Sequence, residues 1–289
     1  MRVAFLGLTL TVLALGLAAT ATGRPASHAA IAGCAKNTLN LVTDGQLSLA
    51  TDNPAFDPWW SGGSKDKDWE INDPTTRKGY ESAVAYEIAK RLGFTNKQVT
   101  WQAVPFGKSY APGRKSFDWY MAQVSVRPER AKAVTFSTSY YEVNQAVVGL
   151  KANPISKVRS LAGLKRYKFG AQVGTTSYSY ITKYIRPSEQ PNVYDSNADA
   201  VAALKNGQID GLVVDYPSTG YITAVQVPKS TVVGRLPNRG GQEHFGLVLQ
   251  KGNRLVACVN KAIRAMSRDG TLKRLELRWL GRAGAPVLK

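Results

Sequence analysis

In the stretch VSVRPERAKAVTFSTSYY, residues 124–141, two arginines stand three positions apart where a strand end meets a helix start. The strand AQVSV ends just before the helix that Pro128 opens, so Arg130 falls in that helix's first turn and its guanidinium reaches the strand-end crevice. A planar guanidinium in that place matches a carboxylate through two parallel hydrogen bonds. Thr175 and Thr176 follow Gly174 at a second helix start and offer N–H groups, hydroxyls and the positive end of a helix dipole to the same anion. Asp215 ends the strand IDGLVVD, where its carboxylate suits an ammonium. Carboxylate grips and an ammonium grip together describe an α-amino acid. Each residue also has a plainer reading: Arg130 as a solvated helix charge, Thr175 as a helix cap, Asp215 as a turn residue before Tyr216 and Pro217. Phe56, Trp59 and Phe106 are core aromatics on the plain reading and walls around a ligand side chain on the other.

Other chemistries start poorly. The chain has two histidines, His28 and His244, so a Ser/His/Asp triad, a Cys/His pair or a histidine metal site would each depend on His244 alone. The segment GTTSYS lacks the glycine spacing and lysine of a phosphate-binding loop, and no dinucleotide fingerprint follows a first strand. No cofactor and no metal are expected.

The elements that must position these groups follow from periodicity. The run 46–51 alternates as a strand, and YESAVAYEIAKRLG sets Val84, Ile88 and Leu92 on one helical stripe that stops at Gly93. QVTWQAV then reads as a strand. The pattern recurs as KFGAQVG, TTSYSYITKYI, NADAVAALKNG and QIDGLVVD, and again as HFGLVLQ followed by a helix carrying Val256, Val259, Ile263 and Met266. A last short helix carries Leu272, Leu275 and Trp279. Strands alternating with helices of this length predict an α/β fold with mainly parallel sheets. With 289 residues, 44% apolar and 20% charged, the chain is an ordinary globular protein of one or two domains.

The first residues, MRVAFLGLTLTVLALGLAATATG, have the export layout of a charge, an apolar run and small residues. Its competitor is an uncleaved membrane anchor, which Thr, Gly and Ala within the run disfavour. The chain's +18 falls to +16 when Arg2 and Arg24 leave with the leader. Lys and Arg are scattered rather than gathered into an arm, so a nucleic-acid partner is not expected. Cys34 has two readings. IAGC offers the small residues of a lipidation site, though far past the apolar run, whereas a bridge to Cys258 suits an oxidising exterior and leaves no odd cysteine.

Six segments in order resemble the family 3 periplasmic solute-binding proteins, which deliver polar amino acids to ABC importers and share the type II periplasmic-binding fold. They are GQLSLATDNPAFDPWW, KGYESAVAYEIAKRLGF, VSVRPERAKAVTFSTSYYEVNQAVV, GAQVGTTSYSYI, AVAALKNGQIDGLVVDYP and FGLVLQKGNRLVACVNKAIRAMSRDGTLKRLELRWLG, together covering roughly residues 46–281. The resemblance implies two α/β lobes joined by two crossover hinge strands, near 144–148 and 237–245. Lobe one would take 34–146 and 237–289 after a leader at 1–33, and lobe two 147–236. It implies that Arg130 clamps the ligand carboxylate with Thr175, Thr176, Gln123 and Ser125, and that Asp215 takes the ammonium. Asp52, Phe56, Trp59 and Phe106 would form the side-chain pocket. Both cysteines would fall in lobe one, consistent with a disulfide.

The implied protein is a monomeric, non-enzymatic amino-acid binder outside the cytoplasm, whose partner is the permease of an ABC transporter, a separate chain. An enzyme on the same fold resembling cyclohexadienyl dehydratase, and an extracytoplasmic sensor, are the alternatives. Two features depart from the family. Arg127 stands where Thr or Ser usually caps the helix, removing about 1 kcal/mol, and is either a second anion grip or a surface charge. The polar loop 61–78 is long, with Trp69 either a lid or a packed residue. The side chain of the bound amino acid stays open, since Asp52 favours a basic one and Arg127 an acidic one.

Overall fold

The computed structural model describes residues 31–63, 68–281 and 284–289. The export leader lies outside these except for its last residues, and so do positions 64–67 of the polar loop.

Strand β1 (Leu47–Thr51) is buried at all five positions, as a strand covered on both faces must be. It pairs in parallel with β2 (Val99–Ala103) and β3 (Trp119–Tyr120). Strands β4 (Val134–Phe136) and β12 (Val248–Gln250) complete a five-stranded sheet in the order β2-β1-β3-β12-β4. The stripe read on helix α1 (Tyr80–Arg91) buries Val84 and Ile88 beside Leu47, Leu49, Val259, Ile263 and Met266. Short helices α2 (Phe106–Ser109) and α3 (Pro128–Ala131) lead back into this sheet.

A second five-stranded sheet, β10-β6-β9-β7-β8, is built from β6 (Gln145–Leu150), β7 (Phe169–Gln172), β8 (Asn192–Tyr194), β9 (Gly211–Asp215) and β10 (Ser230–Arg235). Strands β7, β8 and β9 run parallel, while β6 and β10 are antiparallel additions. Phe169, Tyr180 and Ile185 pack in one apolar cluster, and Val201, Leu204, Leu212 and Ile222 in another. Helices α4 (Thr176–Tyr180) and α6 (Ser218–Tyr221) each continue into a π turn, and α5 (Asn197–Lys205) is capped by Ser196 accepting from the Asp199 N–H. Between the sheets, β5 (Tyr141–Val143) and β11 (Glu243–Phe245) form an antiparallel pair where the chain crosses over and back.

HFGLVLQ, read as one strand, is two. Gly246 separates β11 from β12 because its backbone passes so close to Val126 that a Cβ there would lie 2.8 Å from a Val126 methyl.

The C-terminus also departs from the expected layout. Helices α7 (Leu255–Arg268) and α8 (Thr271–Trp279) pack with α1 on the first sheet, but the last residues do not stay with them. Arg235 N–H donates to Pro286 O at 2.9 Å, Leu288 N–H to Arg235 O at 2.8 Å, and Leu161 N–H to Lys289 O at 2.7 Å. Leu288 is buried in the second sheet's apolar cluster, in space left by Gly234. The chain therefore crosses between the sheets a third time. Strand β10 is an edge, and the tail satisfies the backbone N–H and C=O of its last residue, Arg235.

Cys34 and Cys258 form a disulfide with Cα atoms 5.7 Å apart, tying the N-terminal segment to α7. That bond uses the thiol a lipid would need. Among the described residues no helix is long and apolar enough to cross a membrane.

Candidate functional site

Arg130 sits in the first turn of α3, where Pro128 at the first helical position sets the backbone. Its guanidinium is buried over the Tyr110 ring, 4.4 Å from the centroid, with Phe106 at 5.5 Å. Nη1 donates to Ser125 O at 2.9 Å, and Nη2 reaches across to Gly174 O at 2.7 Å, from the first sheet's side of the cleft to the second's. Thr175 is the N-cap of α4: its Oγ1 accepts from the Tyr178 N–H at 3.1 Å and donates to Gln172 O at 2.8 Å. The plainer reading thus holds for its hydroxyl. The Thr176 hydroxyl lies 3.4 Å from that of Ser125, again across the cleft.

Asp215 closes β9 and accepts from Gln145 Nε2 at 2.7 Å. Burial pushes its carboxyl well above the usual carboxylate range, and the neighbouring Glu243 adds to the rise. The same Gln145 amide donates to Glu243 Oε2 at 3.0 Å, while Glu243 Oε1 accepts from Ser125 Oγ at 2.6 Å.

Around the far end, Phe56 faces Tyr221 at 6.2 Å, ring centroid to centroid. Trp59 is 1% exposed and packs edge-on against Tyr80, Tyr141 and Phe245, so it is a core aromatic as much as a wall. Burial raises the Asp52 carboxyl to about 6, with only the Asn53 and Phe106 backbone opposing it.

Asp52, Phe56, Trp59, Phe106, Gln123, Ser125, Arg130, Thr175, Thr176 and Asp215 all line one cavity of about 500 Å³. Gln123 and Arg127 each have a protein partner. The Gln123 amide nitrogen and backbone N–H both donate to Glu81, a fully buried acid that also accepts from Tyr140 OH. The Gln123 amide nitrogen is thus engaged by Glu81 while the residue still lines the cavity, and the turn needs φ +50° at Gln123. Arg127 lies outside this cavity. It makes no cap bond to α3, pairs with Glu129 at 3.5 Å, and lines a small neighbouring concavity. The polar loop folds back on the first sheet's side: Asn72 donates to Ala55 O and Glu70 N–H to Asn53 Oδ1, with Trp69 buried.

Sequence reasoning missed Glu81, Gln145, Ser218 and Glu243. A signal existed for Gln145 and Glu243, which fall on the two crossovers expected to pass the cleft. No group of three or more His, Cys, Asp or Glu among the described residues is arranged to hold a metal ion.

A model of the bacterial extracellular solute-binding proteins, family 3, matches residues 65–282. The L-cystine-binding protein TcyJ of Escherichia coli K12 is 29% identical over 211 residues, 70% of this chain and 74% of that one. ABC transporter arginine-binding protein 1 of the same organism is 32% identical over 168 residues, 57% of this chain and 67% of its own length. Among solved structures, an ancestral arginine-binding protein bound to glutamine is 30% identical with a TM-score of 0.67, covering 83% of this chain and all of that one.

Proposed function

Because the chain belongs to the bacterial extracellular solute-binding proteins of family 3, we propose that it captures an α-amino acid between its two lobes and passes it to an ABC importer. The observation that carries this reading is that Arg130 and Asp215, reaching in from different sheets, line one cavity. Arg130 takes the carboxylate with Ser125 and the Thr176 region, and Asp215 takes the ammonium. The lobes, 34–146 with most of 237–289 against 147–236, close about the two crossovers so that Thr176 and Asp215 swing onto a ligand already docked on Arg130. The closed form is what a separate permease chain recognises. The protein works outside the cytoplasm as a monomer, exported by its leader.

The cavity's charges narrow the side chain. Among the described residues, Asp52, Asp57, Asp195 and Asp215 line it against one cation, Arg130. With Arg130 on the carboxylate and Asp215 on the ammonium, Asp52 is left among Phe56, Trp59 and Phe106. A cationic or neutral donor side chain fits there and an acidic one does not.

A thermal-shift screen of the ligand-free mature chain against the twenty amino acids tests the reading, with Arg130→Ala in parallel. Binding at a hundredfold excess over Kd adds about 2.7 kcal/mol of stability. A shift with one chemical class, lost in Arg130→Ala, supports it; no shift with any amino acid sinks it. The dehydratase-like alternative draws on one observation, that Asp52 and Asp215 both hold their protons above the ordinary range, as a proton donor must. NMR of the ligand recovered after incubation separates the two, since a binder returns it unchanged.

A further inference from the structure

Glu243 is outside the set of residues the sequence singles out, and it does not line the main cavity. It projects from β11 on the return crossover and touches two parts of the molecule directly and a third through one of them. Ser125 belongs to the first sheet's side, Gln145 begins β6 after the other crossover, and through Gln145 the contact continues to Asp215. One amide nitrogen donates to both carboxylates, at 2.7 and 3.0 Å, which keeps the two acids inside the roughly 6 Å over which charges govern one another's protonation. Neither carboxylate has an ion pair among the described residues.

We propose that Asp215 and Glu243 work as one ammonium-binding pair, in which the ligand's ammonium contacts Asp215 and displaces a proton that the pair otherwise holds. The inference rests on the cavity being an amino-acid site. Two half-buried like charges behind one amide repel each other, and desolvation together with the Glu243 charge raises the Asp215 carboxyl. When the ammonium docks, the carboxylic O–H breaks, its proton passes to water, and an N–H···O bond to the carboxylate replaces it; the ammonium keeps its own protons. Glu243 is a positioning residue: its charge acts through Gln145. The groups facing Asp215 are Glu81 from α1, Arg130 from α3, and Tyr140 and Tyr141 at β5. Glu243 faces Arg130 as well; beside it Arg127, Lys183 and Arg239 line the adjoining concavity, and His244 follows it in the strand.

The test is titration calorimetry on the mature chain between pH 5 and 8, in buffers of different ionisation enthalpy. The probe is the amino acid with the largest thermal shift in the screen above. Binding should release a proton, and Kd should tighten by up to tenfold per pH unit as pH rises through the pair's titration. Glu243→Gln should reduce the release and flatten that slope, and His244→Gln should leave both unchanged. No proton release in the wild-type protein overturns the proposal, as does release that is unaltered in Glu243→Gln or lost in His244→Gln. Should Glu243→Gln not fold, the wild-type proton count together with His244→Gln still decides. Asp215→Asn separates the two readings: unimpaired binding sinks the amino-acid grip itself. Lost binding there, with an unaltered proton count in Glu243→Gln, sinks only this inference.

Discussion

The indole N–H of Trp59 donates to the Ser218 hydroxyl at 2.9 Å, joining residues 159 positions apart across the cleft. Trp59 is fixed on the first sheet's side by three aromatic neighbours, and Ser218 opens α6 on the second. On the proposed closing motion, the bond is made only when the lobes meet. Ser218→Ala should weaken amino-acid binding about fivefold, the equivalent of one hydrogen bond of about 1 kcal/mol, with little change in the melting point of the ligand-free chain. Calorimetric Kd values for the two proteins check it; equal affinities would mean that the bond contributes nothing to closure.

On the proposed reading, Asp52 sets the side-chain preference. Asp52→Asn keeps the shape and removes the charge, so affinity for L-arginine should fall tenfold or more while that for L-glutamine stays within about threefold. Competition binding with the two amino acids measures the ratio. A uniform loss for both would make Asp52 a structural residue.

Glu81 gives the fold a pH dependence of defined sign. Burial raises its carboxyl from the ordinary 4.5 to about 7, and hydrogen bonds from Tyr140 and Gln123 only partly offset this. An acid raised on folding stabilises the folded state while protonated. That contribution is complete below about pH 4.5 and is lost as pH rises through 7. It amounts to roughly 3 kcal/mol. Urea unfolding of wild type and Glu81→Gln at intervals from pH 4.5 to 7.5 should show the difference between them shrinking or inverting as pH rises. Parallel profiles would refute the assignment.

Leu288 anchors the third crossing. Leu288→Ala leaves a void against Gly234 and should cost about 2 kcal/mol locally. Because the tail satisfies the Arg235 and Leu161 amides, their hydrogen exchange should quicken markedly in the variant, ahead of the rest of β10 and the segment before β7. Unchanged protection at those two amides would show that the tail is not held by its leucine.

Legibility in the sequence differed by kind of residue. Arg130, Thr176 and Asp215 were legible because each sits where a strand meets a helix, and their types are informative at that place. Glu81 was not. An acid in the first turn of α1 looks like any residue complementing a helix dipole, and nothing local says that Gln123 and Tyr140 will enclose it. The partner of the Gln123 amide was not legible for the same reason: it lies 42 residues away. The tail GRAGAPVLK carries no periodicity, and its role depends on an open strand edge that only the finished sheet presents.

The sequence by itself determined the alternation of strands and helices and the types of group standing at strand ends and helix starts, while the two crossovers came only from the family resemblance. The alternation and the placement of those groups follow from local periodicity, capping and turn chemistry, which act over a few residues. Only the tertiary structure decided which charges meet. Asp215 and Glu243 share one amide of Gln145, although they come from different strands, β9 of the second sheet and β11 on the return crossover. That pairing is a property of distance and burial, and both exist only once the two sheets have closed around the hinge.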